Sequence, residues 1–111
     1  MVRRTDFEVL SETDGETGRL TVIGELDLAT VPRLESAVDA MLAGEVRQIT
    51  IDLEKLSFLD SSGVRLFLQL AQGAEHGAWT LTLSNLPERV GGIFKLTGVD
   101  ESLPLVEGDS S

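Results

Sequence analysis

The stretch FLDSSGV, Phe58–Val64, joins an apolar run of alternating pattern to an apolar run of helical pattern, so it predicts a turn from a strand into a helix. A helix start needs one side chain that accepts a hydrogen bond from its free N–H groups. Asp60, Ser61 and Ser62 are all able to do this, and Gly63 follows them. An ordinary helix cap needs only one of these three side chains, so the other two are available for another role.

The pattern on both sides of this stretch predicts strands that alternate with helices. Alternation indicates strands at 6–11, 19–24, 48–53 and 78–83, and a last short extended segment at 103–106. Helical spacing of apolar residues indicates helices at 30–43, from 61 onward, and at 86–96. Between the first two strands, Asp14, Gly15 and Gly18 predict the turn of a hairpin.

The first helix has recognisable signals at both ends. The preceding strand is expected to break at Gly24, and Thr30 is expected to cap the helix. Pro32 suits the first turn because its missing N–H is not needed there, and Gly44 is a good helix stop.

This order predicts an α/β fold with a mixed four- to five-stranded sheet, mostly parallel, with an antiparallel N-terminal hairpin and a covering of helices. The 111 residues are expected to form a single domain, ordered from about residue 5 to 106, with a disordered tail at 107–111. The segments GELDLAT, 24–30, and FLDSSGV both lie where a strand leads into a helix. Both are therefore expected at the same end of the sheet, which is the end where ligands and partners commonly bind.

Composition excludes several classes of function. Nineteen acidic against nine basic residues give a net charge of −10, which disfavours direct binding of nucleic acid. The chain lacks cysteine, has no secretory signal pattern and contains no apolar run long enough to cross a membrane, so a cytoplasmic protein is expected. With one histidine and no cysteine, a metal site is not expected.

Enzymatic chemistry finds little support in these residues. A nucleophilic serine needs a base, and His76 would lie roughly 20 Å along the helix from Ser62. Neither a GxxxxGK[ST] nor a GxGxxG motif is present, and Asp60 would repel a bound nucleotide. A phosphate on a serine at a helix start, by contrast, is tolerated by the fold and adds about −1.5 to −2 charge at the surface.

Three segments together resemble the STAS-domain anti-sigma factor antagonists of bacteria: GELDL (Gly24–Leu28), ITIDLEKLSFLDSSGV (Ile49–Val64) and IFKLTGVDESLPL (Ile93–Leu105). The resemblance implies a STAS fold, no catalysis and no cofactor. It implies that the unmodified form binds a serine-kinase anti-sigma factor and so frees a sigma factor. The kinase then phosphorylates a serine of the DSSG motif and the complex dissociates, and a PP2C-like phosphatase resets the cycle.

The resemblance also assigns roles within the motif. The phosphorylated serine of the family corresponds to Ser62, and Asp60, Ser61 and Gly63 complete the phosphorylation loop. Asp27 matches an acidic residue beside that loop that affects recognition and phosphorylation.

Three apolar residues are expected to contact the partner around Ser62. These are Leu66, beside Ser62 on the helix surface, and Leu28 and Ala29 from the neighbouring junction; the alternative for all three is packing in the core.

One departure from the family pattern stands out. Where the family usually continues with Leu-Gly or a similar small pair, this chain has Val64 and Arg65. Arg65 lies one helical turn beyond Ser62, where it is either a partner for a phosphate or a solvated helix charge.

An alternative reading of the same domain stays open. A STAS module can also serve as a transporter subunit or as an accessory or sensor module that binds a nucleotide or a lipid. For either reading, a monomer or a weak dimer is expected.

Overall fold

A computed structural model describes residues 7–97 and 103–106 of the chain. The elements are β1 (Glu8–Asp14), β2 (Thr17–Leu26), α1 (Val31–Ala43), β3 (Gln48–Asp52), β4 (Leu56–Leu59), α2 (Ser61–Gly77), β5 (Thr80–Ser84), α3 (Glu88–Thr97) and β6 (Leu105–Val106). The predicted order of strands and helices is confirmed, apart from β4, which the sequence pattern did not reveal. The predicted tail at 107–111 lies outside the described residues.

The strands form one mixed sheet in the order β1-β2-β3-β5-β6. The β1–β2 hairpin is antiparallel, and the pairs β2–β3, β3–β5 and β5–β6 are parallel. The extra strand β4 pairs with β2 beyond the end of β3, because Asp52 lies opposite Thr21 whereas Leu56 lies opposite Gly24. The described part of the sheet therefore contains six strands in five positions, and the predicted α/β fold is confirmed.

The predicted break of the second strand at Gly24 is wrong, since β2 continues to Leu26. Gly24 adopts a φ of 107°, and the register with β4 shifts between Gly24 and Glu25. Because glycine tolerates positive φ, the strand accommodates an irregularity there without ending. The Gly24 N–H donates to the Lys55 carbonyl at 3.1 Å, which helps to dock the start of β4.

The helices cover the apolar face of the sheet. Residues of β2 alternate between fully buried Leu20 and Val22 on that face and half-exposed Thr21 and Ile23 on the other. α1 contacts α2, and α3 contacts α2 through a T-shaped Phe67–Phe94 ring pair with centroids 6.3 Å apart. The result is one continuous core, built from the alternation that the sequence pattern predicts.

Thr30 stands at the N-cap position of α1, but its side chain makes no capping hydrogen bond, so that prediction is wrong. Its hydroxyl instead donates to the Glu25 carbonyl at 2.8 Å and accepts from the Asp27 N–H at 2.9 Å. The hydroxyl is thus held by the preceding loop. Pro32 in the first turn and Gly44 at the C-cap are confirmed.

Candidate functional site

The two strand-to-helix junctions meet at one end of the sheet, as predicted. Leu26 at the end of β2 pairs with Leu59 at the end of β4, and the Asp60 N–H donates to the Leu26 carbonyl at 3.2 Å. The loop that follows β2 therefore lies beside the start of α2. This arrangement brings Asp27 and the DSSG motif into one surface region.

Asp60 is the cap of α2. Its Oδ1 accepts from the Ser62 N–H at 2.8 Å and from the Gly63 N–H at 3.2 Å, and its backbone is extended. A single carboxylate oxygen thus satisfies two of the free N–H groups at the helix start. Neither the Ser61 nor the Ser62 side chain takes part in the cap, and neither hydroxyl bonds to another residue within 7–97 or 103–106.

The two serines occupy the first two positions of α2. Ser61 is exposed and Ser62 is partly exposed, whereas Gly63 and Val64 behind them are buried. A group attached to either hydroxyl can therefore extend into solvent and leave the packing below unchanged.

Leu66 does not lie on a partner-binding surface, so the prediction that it contacts a partner beside Ser62 is wrong, whereas Gly63 does follow the serines at the start of α2. Leu66 is 2% exposed, because α2 packs against α1 as well as the sheet and buries a wide arc of its surface. A Cβ on Gly63 would lie 2.7 Å from Leu59 Cδ1 and 3.1 Å from Leu26 Cδ2. Because Gly63 has no side chain, the start of α2 can approach the ends of β2 and β4 closely.

The loop after β2 presents an apolar tip. Asp27 Oδ1 accepts from the N–H groups of Ala29 at 3.0 Å and Thr30 at 3.1 Å, which fixes the turn. Leu28 at its tip is 77% exposed, and Ala29 is also exposed. The structure thus places Leu28 and Ala29 on the surface at the same end of the sheet as the DSSG motif, and it gives Asp27 the role of shaping their loop.

A shallow groove of about 340 Å³ adjoins Ser61 on the side facing α3. Its lining is mainly apolar and includes Leu59, Ser61, Val64, Arg65, Leu68 and Ile93. The sequence pattern did not single out Ile93 as a site residue, although it begins the IFKLTG segment of the resemblance. The position of α3 beside α2 brings it to the groove.

The ion pair of Asp52 lies apart from the DSSG motif, because Asp52 is opposite Thr21, five residues before the end of β2. Asp52 pairs with Arg19 at 2.8 Å and accepts from Asn85 Nδ2 at 3.1 Å, which links β2, β3 and the end of β5. Burial raises the pKa of Asp52, but hydrogen bonds from the Glu54 N–H, Arg19 and Asn85 outweigh burial and lower it overall. Arg65, by contrast, is exposed and makes no ion pair or hydrogen bond with the described part of the chain.

The geometry of α2 separates the histidine from the serines. Ser62 and His76 lie near opposite ends of one uninterrupted helix, and His76 Nδ1 contacts the Gln72 carbonyl at 2.9 Å. Within residues 7–97 and 103–106, no group of three or more potential ligand side chains could hold a metal ion. The same residues contain no helix with the length and apolar character needed to span a membrane.

Comparison with known proteins agrees with this architecture. The family model described as "Mlab, STAS domain" matches residues 9–107. The anti-sigma-B factor antagonist of Staphylococcus aureus is 29% identical over 103 residues, which cover 93% of this chain and 95% of that protein.

Two solved structures named SpoIIAA extend the comparison. The unphosphorylated form of the anti-sigma factor antagonist SpoIIAA has a TM-score of 0.75 at 27% identity, covering 95% of this chain and 90% of that one. The phosphorylated form of the Bacillus cell fate determinant SpoIIAA has a TM-score of 0.70 at 26% identity, covering 95% and 93%. The chain therefore belongs to the STAS-domain family, together with the bacterial anti-sigma factor antagonists.

Proposed function

We propose that this chain is an anti-sigma factor antagonist of the cytoplasm that changes partners through phosphorylation of Ser62. The unmodified protein binds a serine-kinase anti-sigma factor and thereby releases a sigma factor. The kinase then transfers the γ-phosphoryl group of ATP to Ser62 Oγ. The new ester bond replaces the phosphoanhydride bond of ATP, ADP leaves, and the hydroxyl proton is lost. A PP2C-like phosphatase hydrolyses the ester and restores the binding form.

The observation that carries the proposal is the pair of serine hydroxyls that the helix cap does not use. Asp60 completes the cap alone, so Ser61 and Ser62 stand at the start of α2 without a structural role in capping. A relative of the same fold, SpoIIAA, occurs in unphosphorylated and phosphorylated forms. The resemblance in the motif selects the second serine, Ser62, as the acceptor.

The fold tolerates a phosphate at this position. An anion in the first turn of a helix is favoured by the helix dipole and the nearby N–H groups. The Ser62 side chain reaches the surface, so the added charge need not enter the core. The modification therefore changes the surface of the protein while the domain stays folded.

The surroundings of the serines are suited to contact with another protein. Leu28 and Ala29 project from the adjacent loop, and the apolar groove lies on the α3 side of Ser61. A phosphate enclosed in such a contact without a partner for its charge would weaken binding by several kcal/mol. Since about 1.4 kcal/mol corresponds to a tenfold change in affinity, one phosphate suffices to dissociate the complex.

Incubation with the cognate kinase and ATP tests the assignment. Wild type, Ser62→Ala and the matched control Ser61→Ala are compared by intact-mass spectrometry, and binding of each unmodified form to the kinase is measured in parallel. We expect wild type and Ser61→Ala to gain one phosphate, and Ser62→Ala to bind the kinase but stay unmodified. Modification of Ser62→Ala at the wild-type level would reject the site.

Failure of every form to bind the kinase would reject the function as well. In that case, stabilisation by a nucleotide or a lipid would identify an accessory or sensor module instead.

A further inference from the structure

We propose that Arg65 is a positioning residue for the phosphorylated state, in which its guanidinium forms an ion pair with the phosphate on Ser62 and holds it against α2. The inference rests on the proposed phosphorylation of Ser62. It adds a residue that acts after the phosphoryl transfer, through the stability of the modified, unbound form.

The position of Arg65 on α2 brings it within reach of the phosphate. Arg65 follows Ser62 by three residues in the same uninterrupted helix. Side chains at this spacing are neighbours on the helix surface, with Cβ atoms about 5–6 Å apart. The long arginine side chain spans this separation, and its planar guanidinium can bind two phosphate oxygens at once.

Within residues 7–97 and 103–106, Arg65 forms no ion pair or hydrogen bond in the unmodified protein, although Asp60 lines the same groove. The nearest carboxylate in sequence, Asp60, directs Oδ1 to the N–H groups of Ser62 and Gly63. The first turn of α2 carries no acidic residue, and Glu75 lies more than two turns beyond Arg65. A phosphate on Ser62 would therefore meet a guanidinium that is exposed and unpaired within the described residues.

Most other basic side chains of the described residues have partners of their own. These are Arg19 with Asp52, Arg33 over the Phe7 ring, Arg47 with carbonyls at the end of α1, and Arg89 with the Ser57 carbonyl. A phosphate on Ser62 would place a charged acceptor one turn before Arg65, so the pair would form only in the modified state.

The ion pair between Arg65 and the phosphate favours the modified, unbound form of the protein. It stabilises the dianionic phosphate on the free protein, so the second pKa of the phosphoserine falls. A kinase contact that separated the phosphate from Arg65 would leave the enclosed phosphate without a partner for its charge, which disfavours the phosphorylated complex.

Phosphorus NMR of the full chain with phosphoserine at position 62 tests the inference. The phosphoserine is incorporated during translation, so no kinase is needed. The second pKa of the phosphate is compared in wild type, Arg65→Gln and Arg65→Lys. The control is Lys95→Gln, which also removes one positive charge but does so at an exposed side chain of α3.

We expect Arg65→Gln to raise this pKa by about 0.2–0.7 unit, as an exposed ion pair would, and Arg65→Lys to restore part of the shift. Lys95→Gln should change it by less than half as much. An unchanged pKa in Arg65→Gln, or an equal change in Lys95→Gln, would overturn the role of Arg65. Neither result would touch the assignment of Ser62, which the kinase assay tests separately.

Discussion

Two glycines of α2 provide a matched test of how closely this helix packs beneath the DSSG motif. Gly63 is buried, and a Cβ placed on it would lie 2.7 Å from Leu59 Cδ1. Gly73, further along the same helix, is exposed, and a Cβ placed on it would meet no atom within 4 Å. Alanine in place of either glycine gains helix propensity, but only at position 63 must the neighbouring leucines move.

The magnitudes of the two effects can be compared directly. Replacing glycine by alanine stabilises a helix interior by about 1 kcal/mol, so Gly73→Ala should raise the free energy of unfolding by about 0.5–1 kcal/mol. At Gly63 this gain is opposed by overpacking of a filled core, which costs about 1–3 kcal/mol. Gly63→Ala should therefore be less stable than Gly73→Ala by about 1–3 kcal/mol.

Urea denaturation of wild type and both variants measures this difference, and thermal unfolding provides an independent check. For a chain of this size, about 1 kcal/mol corresponds to roughly 4 °C in Tm. If Gly63→Ala were as stable as Gly73→Ala, the close approach of α2 to the ends of β2 and β4 would be refuted. The account of Gly63 as a packing residue would then fail.

Single contacts elsewhere in the domain lead to three further predictions. Asp60→Ala should lower the free energy of unfolding by about 0.5–2 kcal/mol through loss of the cap, whereas Asp60→Asn should retain most of it; equal loss in both variants would contradict the capping role. Because the native-state pKa of Asp52 is lowered, its contribution to stability is present above the unfolded pKa of about 3.9 and is lost as pH falls through the native value. Thermal scans from about pH 5 downward should thus show a shallower loss of stability in Asp52→Asn than in wild type, and parallel curves would contradict this. Leu66→Ala should destabilise the domain by about 2–5 kcal/mol. Leu28→Ala should leave stability within about 0.5 kcal/mol and weaken kinase binding, and a reversed pattern would contradict the placement of the two side chains.

Much of the fold was predictable because its strands and helices carry clear periodicity. Leu20 and Val22 are two positions apart in the sequence, and both are buried in β2, whereas their neighbours are half-exposed. β4 escaped prediction because its four residues have the burial pattern buried, exposed, exposed, buried, which does not alternate. The continuation of β2 past Gly24 likewise depends on pairing with β4, a contact that is distant in sequence.

The site was predictable in its location but only partly in its members. Junctions after parallel strands meet at one end of a sheet, so the proximity of Asp27 and Asp60 followed from the order of elements. Which side of α2 would be buried did not follow, because apolar residues cover a wide arc of the helix. Leu66 was therefore assigned to the surface, whereas Ile93 entered the groove only through the packing of α3.

The affinity for the cognate serine-kinase anti-sigma factor, with and without phosphate on Ser62, tests the account most directly. Isothermal titration of the kinase with the unmodified chain and with the chain carrying phosphoserine at position 62 yields both dissociation constants. An enclosed phosphate that disfavours binding by about 2–3 kcal/mol predicts a Kd about 30- to 150-fold higher for the modified form. Equal dissociation constants for the two forms would contradict the phosphorylation switch.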